Sequence, residues 1–543
     1  MMDVLYALWW QHAPVLSVLL PSATAILLLL FGESGGMSQV GGGHDSSALR
    51  WRRRLSMGSV LLGGLMAAAL VWRAMDGQPV VYRLGDWPAP FGIVMVLDRL
   101  SALMLLLTYI VAAPALWYAL GGWDRRGPYF HAIFQFQLMG LAGAFLTGDL
   151  FNLFVFFEVL LISSYVLLLH GLGTERLRMG LHYVVLNLVG SGLFLVGLAM
   201  IYAITGSLNV VDVDQRVAQL SGESASLARA ASLLLLVVFG LKAALVPLYF
   251  WLPGTYASAS APVAALFAIM TKVGVYSIIR THWVIFGDVP GEAALSAQAW
   301  LLPAALLTSV LGVAGALAAH TLSRLVGYLT VSSVGTILAS VGLFTPATLS
   351  AALYYMLHST IVIAGLFLLV ELMAAQRGST GDTLQPAHAV REPVLLGLMM
   401  LFGAASAAGL PPLPGFLGKL MILQSSANLP AQAWVWGVIL SVGFVTIVGL
   451  ARAGVIIFWH VQPAPGGHVV ASGGSPKMLS AALVLMVITV GLAASASPIK
   501  RYTDATAHQL SDRARYVRAV LGDQSGRTTR PYDGQQAPQQ EKP

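Results

Sequence analysis

Apolar residues in this chain gather into long unbroken runs parted by short polar stretches, and about fourteen such runs are centred near residues 20, 65, 108, 137, 160, 192, 240, 270, 308, 333, 360, 405, 446 and 487. Each approaches the roughly 20 residues that a helix needs to cross a bilayer. The runs are continuous and too long for the alternating strands of an outer-membrane barrel. The pattern therefore predicts an all-α integral membrane protein with about fourteen transmembrane helices. The opening MMDVLYALWWQHAP has no basic stretch, and no small-residue cleavage site closes the first run. Residues 1–31 are accordingly expected to be the first helix and not a leader.

Proline interrupts two of the runs. In LLLLVVFGLKAALVPLYFWLPG, Pro247 follows Lys242 by five residues, and in LFGAASAAGLPPLPGFLGKL, Pro411, Pro412 and Pro414 precede Lys419. Proline removes a backbone donor and frees a carbonyl, which lipid tolerates only where protein or water satisfies it. Each break is thus expected beside a hydrated cavity. Broken helices at matching places in two halves are the trace of inverted repeats. The spacing divides the chain into N-terminal helices (1–127), a first five-helix repeat (128–283), a second (299–460), a last span (461–499) and a polar tail (500–543), with a broken helix fourth in each repeat. Within the tail, 499–521 is expected to form a surface helix through Tyr502, Leu510, Val517 and Leu521, and 522–543 to be disordered. The Gly/Ser-rich GESGGMSQVGGGHDSSALR after the first run reads as a flexible loop.

Composition agrees with a membrane protein: 57% of residues are hydrophobic and 10% charged. The net charge of +7 is scattered over short loops and the tail, which excludes the single basic stripe of a nucleic-acid binder. It reports topology instead. RWRRR at 50–54, Arg125 with Arg126, Arg176 with Arg178, Arg324, and Arg377 with Arg391 fall in alternate loops, while Asp212, Asp214, Glu223, Asp288 and Glu292 occupy the intervening ones. The positive-inside rule makes the first set cytoplasmic and puts both termini on the other side. The chain has no cysteine, so disulfides and cysteine-held iron–sulfur clusters are excluded, and any redox step would belong to another subunit.

Against this background the placement of charge inside the runs matters most. Of only six lysines, three (Lys242, Lys272 and Lys419) lie within apolar stretches, and Glu158 lies equally deep in GDLFNLFVFFEVLLISSYVLLLHG. A charge in hydrocarbon costs at least about 2.5–3.5 kcal/mol, so it persists where it is paired, hydrated or needed. A buried lysine can give up its proton, which an arginine cannot do. A carboxylate that alternately pairs with Lys242 and leaves it would switch that lysine between holding and releasing a proton. The bland alternative is a set of ion pairs that only orient helices. Three lysines and a glutamate, with two lysines beside prolines, favour a proton path. His358, mid-run in YYMLHSTIVIAGLFLLVEL, has the chemistry to join two lysines. His320 and Arg324 are expected in a solvated junction and Glu371 at the membrane interface. No GxxxxGK[ST], HExxH, CxxC or GxSxG stretch occurs.

The segments GDLFNLFVFFEVLLISSYVLL (148–168), GLKAALVPLYFWLPGTYASASAPVAALFAIMTKVGVYSIIR (240–280), RLVGYLTVSSVG (324–335), LHSTIVIAGLFLL (357–369) and GLPPLPGFLGKL (409–420) closely resemble the D subunits of multi-subunit Mrp, or Pha, cation/proton antiporters. These belong to the wider family of proton-conducting membrane subunits shared with respiratory complex I and membrane hydrogenases. The resemblance covers most of 95–460. It implies that Glu158 is the fifth-helix glutamate, Lys242 its seventh-helix partner, Lys272 the eighth-helix lysine, Lys419 the twelfth-helix lysine facing one side, and His358 the histidine of the loop-containing tenth or eleventh helix, depending on how helices are counted. Two positions depart from the family pattern. Ile363 stands where many relatives have a lysine, and Ser333 where many have a histidine, so the link from Lys272 to Lys419 should lean on water, Ser332, Ser333 and His358. The resemblance further implies several hydrophobic partner subunits, exchange of Na+ or K+ for protons, no cofactor, and a bacterial cytoplasmic membrane. An antiporter-like subunit of a redox enzyme, such as NADH:quinone oxidoreductase or a membrane-bound hydrogenase, is the alternative, disfavoured by the FNLFVFFE segment.

Overall fold

All fourteen apolar runs are helical at their centres in the computed structural model, which describes residues 2–32, 47–87, 92–288, 291–462 and 475–522. In chain order the helices are α1 (Met2–Gly32), α2 (Ser47–Ala74), α3 (Arg99–Ala119), α4 (Phe130–Leu146), α5 (Leu150–Leu169), α6 (Thr174–Thr205), α7 (Val210–Val217), α8 (Gly222–Ala243), α9 (Trp251–Ser258) and α10 (Ala261–Ile278). They continue as α11 (Gln298–Ala318), α12 (Leu322–Val341), α13 (Pro346–Ala374), α14 (Pro393–Ala408), α15 (Pro414–Ser426), α16 (Gln432–Phe458), α17 (Pro476–Ala494), α18 (Ala496–Ser511) and α19 (Arg513–Leu521). Among the described residues, twelve helices are long and apolar enough to span a membrane, and α4 and α14 are shorter apolar helices of 17 and 16 residues. The protein is a multi-pass membrane protein. It is not purely helical: β1 (Val80–Arg83) and β2 (Val94–Leu97) form a two-stranded antiparallel ribbon, with Val80 opposite Leu97.

Local chemistry explains where helices begin and stop. Asp98 caps α3 and Asp149 caps α5, each accepting a backbone N–H from the first turn that would otherwise lack a partner. α8 ends where Ala244 takes a left-handed conformation (φ 63°) just before Pro247, and α14 ends on Gly409 (φ 87°) before Pro411 and Pro412. Both expected breaks therefore exist. Pro414 plays a different part from the others, since it opens α15, where a missing N–H costs nothing.

At the centre stands α10, all of whose residues are buried, packed against α3, α8 and α13. It runs on beyond Ile278 through a wider turn, Ile279–Ile285, slightly past the expected boundary at 283. The expected surface helix starts earlier than 499, at Ala496, and is divided at Asp512 into α18 and α19. These two lie on the face of the acidic loops: Arg513 pairs with Asp214, and Tyr502 Oη donates to Arg99 O at 3.0 Å. The tail from 523 and the Gly/Ser-rich stretch at 33–46 lie outside the described residues. On the opposite, basic face, Arg53 pairs with buried Asp124 at 2.5 Å and His131 approaches the same carboxylate at 3.3 Å. Burial alone would raise the Asp124 carboxyl, but the hydrogen bonds from His131 and Arg53 hold it down to about 2. Glu371 is not simply interfacial: it accepts from Trp123 Nε1 and, at 2.9 Å, from the backbone N–H of Ala261, so it caps the start of α10. His320 is exposed, and Arg324 makes an exposed pair with Glu175, as expected of a solvated junction.

Candidate proton-translocation site

The two helix breaks hold one lysine each, on opposite sides of the interruption. Lys242 sits in the last turn of α8, where backbone carbonyls lack partners and a cation is favoured. Its Nζ donates to Asn187 Oδ1 (3.2 Å), Asn187 O (3.4 Å) and Ser191 Oγ (3.5 Å), so its three donors meet three oxygens of α6. Ser191 Oγ in turn donates to Glu158 Oε1 at 2.5 Å. Glu158 and Lys242 are thus joined through a hydroxyl and not in direct contact, which corrects the expected pairing. Glu158 is half-buried, and its neighbour Phe157 turns the face of its ring toward the ammonium, 5.8 Å away.

Protein groups largely satisfy the α8 break. The indole of Trp251 donates to Leu241 O at 3.0 Å, Leu245 N–H to Gly240 O at 2.7 Å, and Val246 N–H to Thr308 Oγ1 at 3.0 Å. At the second break Lys419, buried in α15, itself takes the freed carbonyl of Ala408 at 2.7 Å. Beside it lies a cavity of about 20 Å³ lined by Lys419, His358, Ser332, Ser333, Tyr355 and Ile363, among others. That is room for about one water, and the wall is polar enough to hold it. His358 is buried and its Nδ1 has no hydrogen-bond partner. Ile363 occupies the wall where the resemblance implies a lysine in relatives. Gly415 lets α15 come this close, because a Cβ there would lie 2.0 Å from Ser406 O and 2.7 Å from His358 Nε2.

Between these clusters stands Lys272 on α10, fully buried, with Nζ 3.3 Å from the Thr271 hydroxyl. A Cβ on Gly274 would lie 2.5 Å from Ala243 N, so only glycine lets α10 press against the α8 break. The structure therefore groups Glu158 with Lys242, groups His358 with Lys419, and sets Lys272 alone on the helix that packs against both α8 and α13.

Asn187 and Ser191 were not singled out from the sequence, although Tyr183, Asn187 and Ser191 recur at four-residue steps in an otherwise apolar run, the spacing of one helix face. Trp251, Thr308 and Gly274 left no comparable signal. Their roles depend on which neighbouring helix they meet.

Residues 147–448 match the family described as NADH:quinone oxidoreductase/Mrp antiporter, TM. The D subunit of a probable K(+)/H(+) antiporter of Rhizobium meliloti is 39% identical, over 92% of this chain and 96% of that protein. The D subunit of an Na(+)/H(+) antiporter of Alkalihalophilus pseudofirmus is 36% identical, over 93% and 99%. A chain in the structure of the Mrp complex from Dietzia sp. superposes with a TM-score of 0.80 at 25% identity, covering 94% of this chain and 99% of that one.

Proposed function

Because the chain belongs to the NADH:quinone oxidoreductase/Mrp antiporter family of membrane subunits, we propose that it is the proton-translocating D subunit of a multi-subunit Na+ or K+/proton antiporter in a bacterial cytoplasmic membrane. Its work is transport and not catalysis of a covalent reaction. The observation that carries this reading is the Glu158–Ser191–Lys242 array at the α8 break. While Glu158 is ionised, the Ser191 hydroxyl donates to it and turns an oxygen lone pair toward the ammonium, so the carboxylate steadies the charge on Lys242. When Glu158 takes up a proton, that support is withdrawn, and Lys242 passes its own proton toward Lys272. From Lys272 the route continues to His358 and Lys419 by way of the water-sized cavity, where Ser332 and Ser333 stand in for the titratable groups of relatives.

The two segments 128–283 and 299–460 act as inverted repeats in this reading. Successive crossings start the first from the face of Arg125 and Arg126 and the second from the face of Asp288 and Glu292. Each contributes one broken helix, α8/α9 and α14/α15, and each break holds one lysine. A subunit of a redox enzyme would share the fold, and the antiporter names of the curated relatives favour ion exchange.

The test is reconstitution of the whole complex with Na+ or K+ as the exchanged ion. Glu158→Gln, Lys242→Ala and Lys242→Arg should each abolish exchange while the complex still assembles, the last because a guanidinium keeps its proton at every working pH. An assembled variant that exchanges at the wild-type rate contradicts the assignment. Quinone-dependent proton pumping by the purified complex would instead support the redox reading.

A further inference from the structure

Beyond Lys272 on α10, Tyr276 and Arg280 follow at four-residue steps and so share one helix face. That face leads toward the end of the bundle where the acidic loops lie. Tyr276 Oη donates to Phe145 O at 2.6 Å and accepts from Arg280 Nε at 2.9 Å, so its hydroxyl is engaged in both directions. The Arg280 guanidinium donates to Asp98 Oδ1 at 2.7 Å and makes an ion-pair contact with Oδ2 at 2.5 Å, and both side chains are buried. Asp98 cannot swing away, because Oδ1 also accepts from Ser101 N–H at 2.8 Å as the cap of α3. Above the pair, Tyr516 of α19 places its ring 6.0 Å from the guanidinium carbon. The Arg513–Asp214 pair and the Gln509 side chain, which accepts from Arg99 N–H at 3.0 Å, fasten α18 and α19 in place.

Resting on the proton route proposed above, we propose that the Asp98–Arg280 pair, roofed by Tyr516, is a barrier that keeps protons from leaking out of Lys272 straight to the acidic face. A relay member must both receive and release a proton. Tyr276 lies between two groups that cannot continue a relay, a backbone carbonyl that takes its donor and a guanidinium that fills its acceptor side, and that guanidinium holds its proton and repels another. A proton at Lys272 is thereby directed sideways, toward His358 and Lys419. An exchanger needs such a block, since a direct path would dissipate the gradient without moving a cation. A pair serving only to staple α3 to α10 would have no effect on conductance.

The experiment measures passive proton influx into proteoliposomes of the whole complex, driven by an imposed potential with no Na+ or K+ gradient available for exchange. Two variants are used: Tyr516→Ala, which removes the roof, and the double variant Asp98→Asn/Arg280→Gln, which removes both charges without stranding one. Each should raise influx at least about tenfold, the effect of about 1.4 kcal/mol off the barrier, and adding Lys272→Ala should cancel the rise. Assembled variants that leak at the wild-type rate overturn the barrier, as does a leak that survives Lys272→Ala. Should the double variant not assemble, Tyr516→Ala, with and without Lys272→Ala, decides the matter alone. Failure of the underlying route looks different: Lys272→Ala by itself would then exchange cations normally.

Discussion

Ser191→Ala removes a single oxygen from the junction between Glu158 and Lys242. In the native arrangement that oxygen donates to the carboxylate at 2.5 Å and stands 3.5 Å from the ammonium. The first contact is a charge-assisted bond and the second lies at the limit of bonding distance, so the first dominates. A hydrogen bond to a charged group contributes about 1.5–3 kcal/mol. Lys242 keeps Asn187 as a partner, so the lysine stays anchored while its link to Glu158 is cut. If the hydroxyl couples the two groups during transport, that energy is lost from the transfer step and exchange slows by about ten- to a hundredfold. Assembly should be nearly unaffected, because the change removes a single atom and leaves the anchoring of Lys242 by Asn187 in place. Ser191→Thr, which keeps the hydroxyl, should retain most activity. The assay is dye-reported exchange by the reconstituted complex, normalised to subunit content. Wild-type exchange by Ser191→Ala would mean that Glu158 and Lys242 communicate by another path, and equal loss in Ser191→Thr would point to packing and not the hydroxyl.

Ile363→Lys places an ammonium in the wall of the His358–Lys419 cavity; if that cavity is hydrated the variant assembles with an altered pH profile of exchange, whereas loss of assembled complex marks a dry site. Cysteines placed singly at 419, 242 and 272 in this cysteine-free chain should react with impermeant thiol reagents only at 419, and from one side only; ready labelling at 272 contradicts a shielded centre. Gly274→Ala forces a methyl into the backbone of the α8 break and should cost about 1–3 kcal/mol of stability along with exchange, read by thermal melting and transport together; an unchanged protein would show that α10 and α8 can part freely. On the basic face, the carboxyl of Asp124 is held at about 2, below its unfolded value of about 3.9, so its contribution is present above pH 4 and lost only as pH falls through 2. Asp124→Asn should therefore lower stability by about 3–5 kcal/mol at pH 7 and by no less at pH 5. A gap from wild type that narrows between those two values refutes this.

Some of the site was legible in the chain because its signals are local. Lys242, Lys272, Lys419 and Glu158 stand out as charges in hydrocarbon-length runs, and Pro247, Pro411 and Pro412 mark interruptions that any fold must respect. Ser191 shows why the remainder was not legible. A serine in an apolar helix usually bonds its own backbone, and nothing in the sequence says which helix its face will meet. The same holds for Arg280, whose partner Asp98 is 182 positions away and caps another helix.

Run length, helix breaks, the absence of thiols and the identity of the titratable groups were determined by the sequence, since each depends only on residues adjacent along the chain. Tertiary packing alone decided that a hydroxyl stands between Glu158 and Lys242, that Lys419 answers a carbonyl freed by its own broken helix, and that an arginine pair closes the far end of α10. The physical reason is that hydrophobicity and proline chemistry act within a turn or two. Which side chains meet depends on the rotation and approach of whole helices, and those are set by close contacts such as Gly274 against Ala243 and Gly415 against Ser406.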